Sequence, residues 1–373
     1  MLAWLAERLR RRPAPPPRAS FPQGGFVAFV TYVDTSQKIN PEERLYSNRA
    51  SARLRVLIPA QELARRASVW LVSPQELAER PELEHLGTPG AIVLGKLAAR
   101  DVVSQEPVLK RLLQNMGRSR VPVYADVSDD YAALGREMRQ PFLAEYQQAL
   151  GRCATFIVPC AAMGEALARP AKRGIVVIED PYESEQAREV QVRASSPLRL
   201  GWFGSLGSVN LAPLEQAFES VLSGLGPVSL EMVTAIESRP AVLAMRDRLR
   251  TRYPGFELSF TPWSLQTTEA AIERSDFVLL PQEHRTAWGR VKSHNRMVSV
   301  IRGGRLAIAS PIPAYRELAQ FGWVGDELAA GLRWALANPR EAAARIGEGQ
   351  RYVETRFSPQ AVGRKWAQAL GLC

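Results

Sequence analysis

Between residues 276 and 318 the chain reads DFVLLPQEHRTAWGRVKSHNRMVSVIRGGRLAIASPIPAYREL, and its residue types suit the binding of an anion. The apolar run Phe277 to Leu280 predicts a buried strand, followed by a polar loop. Met297, Val300 and Ile301 then recur at helical spacing from about Ser293 to Gly303. Ser293 is placed as the N-cap, and Gly303 or Gly304 as the stop. Lys292 therefore stands just ahead of a helix N-terminus. The unpaired N–H groups and the positive dipole end there already favour an anion, and a lysine adds a full charge. A diphosphate suits that place. Asn295 and Arg296, in the first turn, reach for phosphate or ribose oxygens, although a solvated surface explains the cluster Arg290, Lys292 and Arg296 equally well.

Two further loops have the right residues. Ala309, Ser310, Pro311 and the turn Pro313 to Tyr315 follow the next strand, where small residues let a ligand approach the backbone and Tyr315 is suited to lining a base or sugar pocket. A plain Pro-rich turn explains them too. Residues 201 to 210, GWFGSLGSVN, follow the run LRL; their glycines at 201, 204 and 207 miss the GxGxxG spacing of a dinucleotide loop. A tight Gly-Ser loop still accepts phosphate through backbone N–H groups, so Gly204, Ser205 and Gly207 are candidates, against a mere packing turn. His284 lies in the loop after Leu280 and reads equally as a surface histidine.

In the N-terminal half, Asp126, Asp129 and Asp130 of YADVSDDY follow a buried strand. They suit orienting an acceptor hydroxyl or acting as a base, and equally an acidic helix start. Arg49, Arg53 and Arg55 of NRASARLR suit either an acidic acceptor or an exposed basic helix face; Asp34, past the first strand, is a weaker candidate. No P-loop, zinc signature, nucleophile elbow or kinase motif set is present. Cys153, Cys160 and Cys373 form no CxxC and read as reduced thiols of a cytoplasmic protein.

The elements that position these residues come in two series. At 373 residues the chain exceeds the size at which one core usually splits, roughly 250 to 300 residues, so two domains are expected. From residue 26, apolar runs such as FVAFVTYV, VWLVS, AIVLG and TFIVP alternate with helical stretches; a second series starts at LRLGWFGS. That alternation, with runs too apolar for a strand with one wet side, indicates α/β units whose parallel sheets are covered on both faces. In such sheets ligands sit beyond the carboxyl ends of the strands. Residues 182–197 lack apolar periodicity and read as a linker. The net charge of +10 attracts phosphate, nucleic acid or an anionic membrane, without choosing among them. Residues 1–22 open on MLAWLAERLRRR and a Pro-rich run, which suits a short amphipathic helix on an anionic inner-membrane surface or a frayed terminus. No run approaches the length of a membrane span.

In the order of its motifs, the chain resembles the glycosyltransferase group 1 superfamily in its GT-B, family 4-like form. The resemblance rests on ARLRVLIPAQEL, YADVSDDY, VIEDPYE, LRLGWFGS, VKSHNRMVSVIRGGRLAIASPIPAY and the ending GQRYVETRFSPQAVGRKWAQAL. It implies two Rossmann-like doubly wound domains facing across a cleft: an acceptor domain at 23–181 and a nucleotide-sugar domain at 198–352. A C-terminal helix at 353–373 would cross back to the first. It further implies a nucleoside diphosphate sugar as donor, a glycan, lipid-linked or protein acceptor, no specific nucleic acid, and transfer that is metal-independent and needs no cofactor. Gly204 and the Lys292 region would then stabilise the leaving diphosphate. Many members carry two glutamates eight positions apart; here Val291 and Ser299 occupy those positions, with Lys292, Asn295 and Arg296 retained and Glu283 placed to compensate. The departure also motivates an alternative, a catalytically inactive nucleotide-binding partner in a glycan-assembly complex.

Overall fold

The computed structural model describes residues 21–372, except 34–35, 44, 98–101, 138, 170, 207–210 and 224. Residues 1–20 of the basic N-terminal segment, Asp34 and Gly207 lie outside the described residues. The chain divides into two compact units, Met1–Ile178 with Val362–Cys373, and Glu179–Ala361.

The first unit holds a seven-stranded sheet built from β1 (Phe26–Val30), β2 (Gln37–Lys38), β3 (Ser68–Val72), β4 (Pro89–Leu94), β5 (Val123–Asp126), β6 (Thr155–Val158) and β7 (Ile175–Val177). Its order is β2-β3-β1-β4-β5-β6-β7, and β2 alone runs antiparallel to its neighbour. The central strands are buried because apolar side chains occupy both faces, and every residue of β1 and of β6 is buried, whereas the edge strand β2 is exposed. The helix α1 preceding β3 is continuous through Ala50–Ala52, Arg53–Leu57 and Ile58–Ala64, and its middle part is a π turn.

That π turn corrects the expected exposed basic face. Arg53 to Leu57 are all buried, which a 3.6-residue period would not allow, because the wider turn shifts the register of the inward face. Arg53 donates to Ser47 O at 2.7 Å, while Arg49 stays at the surface. Arg55 is 1 % exposed and donates through Nε and Nη2 to Asp126 Oδ1 at 2.8 and 2.6 Å, and through Nη1 to Ile178 O at 2.6 Å. The terminal helix, Pro359–Leu370, brings Trp366 to within 5.5 Å of the Phe29 ring and beneath Arg55, closing this core.

The second unit holds a six-stranded parallel sheet of β8 (Leu198–Phe203), β9 (Val228–Thr234), β10 (Phe256–Pro262), β11 (Phe277–Leu280), β12 (Leu306–Ala309) and β13 (Trp323–Val324), in the order β10-β9-β8-β11-β12-β13. Two of its helices matter for the site: α2 (Leu265–Arg274), between β10 and β11, and α3 (Asn295–Arg302), between β11 and β12. Ser264 caps α2 in a reciprocal capping box with Thr267.

At eight residues α3 is too short to hold by itself; burial of Met297, Val298, Val300 and Ile301, each at most 1 % exposed, anchors it, at about 1.5–3 kcal/mol per side chain. The N-cap is His294 rather than Ser293, and no side chain caps it. Past its C-terminus Gly304 adopts φ +70°, and a Cβ there would lie 2.1 Å from Glu189 O. Only glycine fits.

Glu189 belongs to the segment read as a linker, and much of that segment is strapped onto the second unit. Arg188 N donates to Arg302 O at 2.9 Å, and Gln191 N to Gly304 O at 3.0 Å. Arg302 stacks 3.7 Å from the Tyr182 ring centroid and donates to Ser184 Oγ at 2.8 Å and Glu354 Oε2 at 2.6 Å. Arg305, 1 % exposed, donates to Ser275 O at 2.9 Å, Gly304 O at 3.1 Å and Gln191 Oε1 at 3.1 Å. Burial, followed by the nearby Arg193 charge, lowers its pKa, yet a guanidinium stays cationic. The strap lacks apolar periodicity because these polar contacts hold it. Among the described residues, no helix is long and apolar enough to cross a membrane.

Removing either buried cation–acceptor set should be costly. Arg305→Met should destabilise the second unit by about 3–5 kcal/mol, read from the midpoint of urea unfolding. Asp126→Asn should leave the Arg55 charge without its carboxylate and lower the thermal midpoint of the first unit by roughly 6–12 °C for a loss of about 3 kcal/mol. A midpoint within a degree of wild type would instead return Asp126 to the list of groups available for chemistry.

Candidate functional site

Strand order in the second sheet reverses between β8 and β11, and a parallel sheet of this kind opens a crevice at the carboxyl ends of the two strands that part there. β8 ends at Phe203, β11 at Leu280. Arg296, in the first turn of α3, reaches into this gap. Its Nη1 donates to Phe203 O at 3.5 Å and its Nη2 to the Gln282 side-chain oxygen. Gly204, next after β8, has φ +155°, and a Cβ there would stand 3.2 Å from Arg296 Nη1. A side chain at 204 would press on the guanidinium. Ser310, next after β12, ties in the third strand end: its hydroxyl accepts from Gln282 N at 3.0 Å.

Gly204, Arg296 and Ser310 thus converge at the switch point, joined by Gln282, which the sequence did not single out. The α3 N-terminus opens there without a side-chain cap, so its first N–H groups keep their capacity to bind an anion. A partly buried guanidinium beside them, with its planar fork of donors, suits the oxygens of a phosphate.

The other expected donor residues are placed differently. Lys292 lies ahead of α3 with Nζ 3.4 Å from the centroid of the Trp288 ring, a cation–π contact that turns its charge toward the preceding loop. Asn295 is in the first turn; its backbone oxygen accepts from Ser299 Oγ at 3.0 Å, and its side-chain oxygen is 3.5 Å from the same hydroxyl. Glu283 is exposed and accepts from Arg285 N at 2.7 Å, while Ser205 and Arg290 are exposed. Tyr315 is corrected: at 1 % exposure its ring is inside the core with Val300, Ile312 and Leu318, so it packs the turn instead of lining a pocket. His284 Nε2 is 3.0 Å from Asp326 Oδ1. His294, which nothing in the sequence distinguished from the other two histidines, is 2 % exposed, with Nε2 3.0 Å from Glu317 Oε2 and its ring 5.4 Å from Phe357.

In the first unit, the strand order reverses between β1 and β4. Tyr32, beyond β1, donates its hydroxyl to Leu97 O, beyond β4, and burial pushes its pKa up to about 12. Lys96 pairs with Asp129 at this carboxyl edge. The three expected aspartates therefore differ. Asp126 belongs to the buried Arg55 pair. Asp130 Oδ1 accepts from Ala133 N at 3.1 Å and Gln147 Nε2 at 3.2 Å, which is the helix-start role. Neither is poised as a base. Asp129, joined to Lys96 near the strand ends, is the remaining carboxylate of the three that a ligand at this edge would meet.

No protein-family model matches the sequence, and no curated protein matches it. Solved structures do match in shape. A trehalose-6-phosphate protein from E. coli bound with UDP-2-fluoro glucose aligns with TM-score 0.65 at 10% identity, covering 93% of this chain and 99% of that one. HepE from Anabaena in complex with UDP and glucose aligns with TM-score 0.65 at 13% identity over 94% of this chain and 100% of that one. An α,α-trehalose 6-phosphate synthase from Burkholderia multivorans aligns with TM-score 0.58 at 12% identity over 80% and 74%. With two mostly parallel sheets and a match over nearly the whole length, the chain has the GT-B fold.

Proposed function

We propose that the chain transfers a sugar from a nucleoside diphosphate sugar to a glycan, lipid-linked or protein acceptor. The observation that carries this reading is Arg296, held between the ends of β8 and β11 beside the uncapped start of α3. In the reaction the bond between the sugar's anomeric carbon and the β-phosphate oxygen breaks, the acceptor hydroxyl oxygen bonds to that carbon, and the hydroxyl proton passes to the departing diphosphate. Negative charge grows on the leaving diphosphate. A guanidinium and aligned N–H groups fixed in advance stabilise that charge without reorganising, the electrostatic work that a metal performs in other transferases. In this reading the second unit holds the donor and the protein needs no metal or other cofactor.

Several observations support the finer parts. Two of the proteins of like shape hold UDP-2-fluoro glucose or UDP with glucose, which makes a uridine donor the first to try. Lys292, Asn295 and Ser310 flank Arg296, and Gly204 keeps the approach open. The net charge of +10 suits work at the anionic inner face of a bacterial membrane, on surface polysaccharide or another glycoconjugate, by a cytoplasmic protein held there peripherally. Asp129 with Lys96 would meet the acceptor.

A second reading has its own observation. Val291 is 4 % exposed and apolar, and Ser299 carries only a hydroxyl, so neither supplies a carboxylate to the donor. A nucleotide-binding partner without catalysis would tolerate that. Tight binding of a nucleoside diphosphate with no turnover across acceptors would select it.

Uridine, guanosine, adenosine and cytidine diphosphate sugars form the test panel. The right donor at 100 times its dissociation constant should stabilise the fold by about 2.7 kcal/mol. Arg296→Ala should weaken that donor roughly 10- to 100-fold at an unchanged thermal midpoint, as for loss of a charge-assisted hydrogen bond, and Lys292→Ala should weaken it less. Absence of both stabilisation and turnover with every donor would remove the reading.

A further inference from the structure

Cations gather at the amino edge of the first sheet. β5, β6 and β7 are parallel neighbours, so the turns leading into them open on one side, opposite Lys96 and Asp129. Arg118 and Arg120 precede β5, Arg152 precedes β6, and Arg169, Lys172 and Arg173 precede β7; all six are exposed. The last two turns are tied together, Lys172 N donating to Gly151 O and Arg173 Nε to Arg152 O, both at 3.0 Å. Residues 117–122, 152–154 and 168–174 contain no acidic residue. Glu82 and Glu84, ahead of β4, bound the patch on that side.

A cation at a helix C-terminus complements the dipole, and each of these turns follows a helix: Val102–Met116, Phe142–Cys153 and Ala161–Leu167. The three helix ends offset only about half a charge each, so roughly four positive charges remain. Adjacent strands stand about 4.8 Å apart, which puts the three turns within about 10 Å, one Debye length at about 0.1 M salt. They act as a single field.

What the patch lacks selects its partner. None of the large apolar side chains exposed among the described residues lies in these turns. The patch therefore has no anchor of the kind that dominates protein interfaces, and no aromatic face on which a nucleic acid base could stack. A leaflet of anionic headgroups requires neither, because it attracts basic residues through its field. The chain also enters the unit at this edge: a Cβ on Gly90, at the start of β4, would stand 2.5 Å from the Phe21 ring. The twenty residues ahead of Phe21 carry five arginines against one glutamate, together with Leu2, Trp4, Leu5 and Leu9. We propose that the amino edge of the first unit docks on an anionic lipid leaflet. Docked so, Lys96 and Asp129 face away from the lipid, at least about 13 Å from the headgroups across the four residues of β5, which suits an acceptor glycan that extends from the surface. This face deepens the membrane contact read above from the net charge, and it stands independently of the donor site.

The test is cosedimentation of the full chain with vesicles of phosphatidylcholine alone, and of phosphatidylcholine with about one third phosphatidylglycerol. Wild type should bind only the anionic vesicles at about 0.1 M NaCl and leave them at about 0.5 M. Arg120→Gln, Arg152→Gln, Lys172→Gln and Arg173→Gln together should weaken that binding roughly 100-fold or more, at about fivefold per cation near the surface, with donor-induced stabilisation unchanged. Arg239→Gln, Arg250→Gln, Arg333→Gln and Arg340→Gln remove the same charge from the second unit and should weaken it less than about threefold. Should the patch variant lose thermal stability, Arg118→Gln with Arg120→Gln, confined to one exposed turn, should still weaken binding roughly 10- to 30-fold. Equal losses in the two fourfold variants, or a patch variant that binds as wild type does, overturn the docking face and leave the donor reading standing. A wild type that ignores anionic vesicles yet binds a random DNA duplex at about 0.1 M salt overturns it in favour of nucleic acid.

Discussion

Arg305 is a buried cation whose donors end on the carbonyls and side chains of three segments: the end of α2, the turn after α3 and the strap. A guanidinium at 1 % exposure is tolerable only when its donors are met, so these segments have one arrangement in which they can be together. Arg302, the last residue of α3, adds a second cross-tie through Tyr182, Ser184 and Glu354. Together they set the position of α3 from its C-terminus. The apolar stripe Met297, Val298, Val300 and Ile301 then holds the helix on the sheet, and Arg296 at its other end arrives in the gap between β8 and β11. The candidate site is thus located by contacts made at the far end of the helix.

This arrangement explains why a short helix carries so much of the proposed chemistry. No side chain caps its N-terminus, its first turn holds the cation, and its apolar face is buried. One rigid element would therefore fix the guanidinium and the first N–H groups relative to one another. Preorganisation of that kind is what allows fixed donors to stabilise developing charge in a dry site.

Much of the frame was legible in the residues. Apolar runs such as FVAFV and FVLL are readable as covered strands because both faces of each strand are apolar; the α3 stripe follows from helical spacing, and its stop at Gly303 or Gly304 from the paired glycines. The site was legible only as a neighbourhood. Lys292 stands ahead of a helix start, as its place in the sequence indicates, but its charge rests on Trp288, a contact that depends on the loop's path. Arg296 gains its position from Phe203 and Gln282, which meet it only because strand order reverses there. Arg53 and Arg55 were unreadable as buried residues because a π turn breaks the period on which the reading depends. Tyr315 and Asp126 have polar side chains suited to a site, and tertiary packing turned one into the core and paired the other with Arg55.

The central claim is that Arg296 and the start of α3 receive the diphosphate of a nucleotide donor. The most direct measurement is a crystal structure of the chain with a bound nucleoside diphosphate. The account predicts phosphate oxygens within hydrogen-bond distance of the Arg296 guanidinium and of the first backbone N–H groups of α3. A diphosphate bound elsewhere, with Arg296 still directed only at Phe203 O and Gln282, would contradict it.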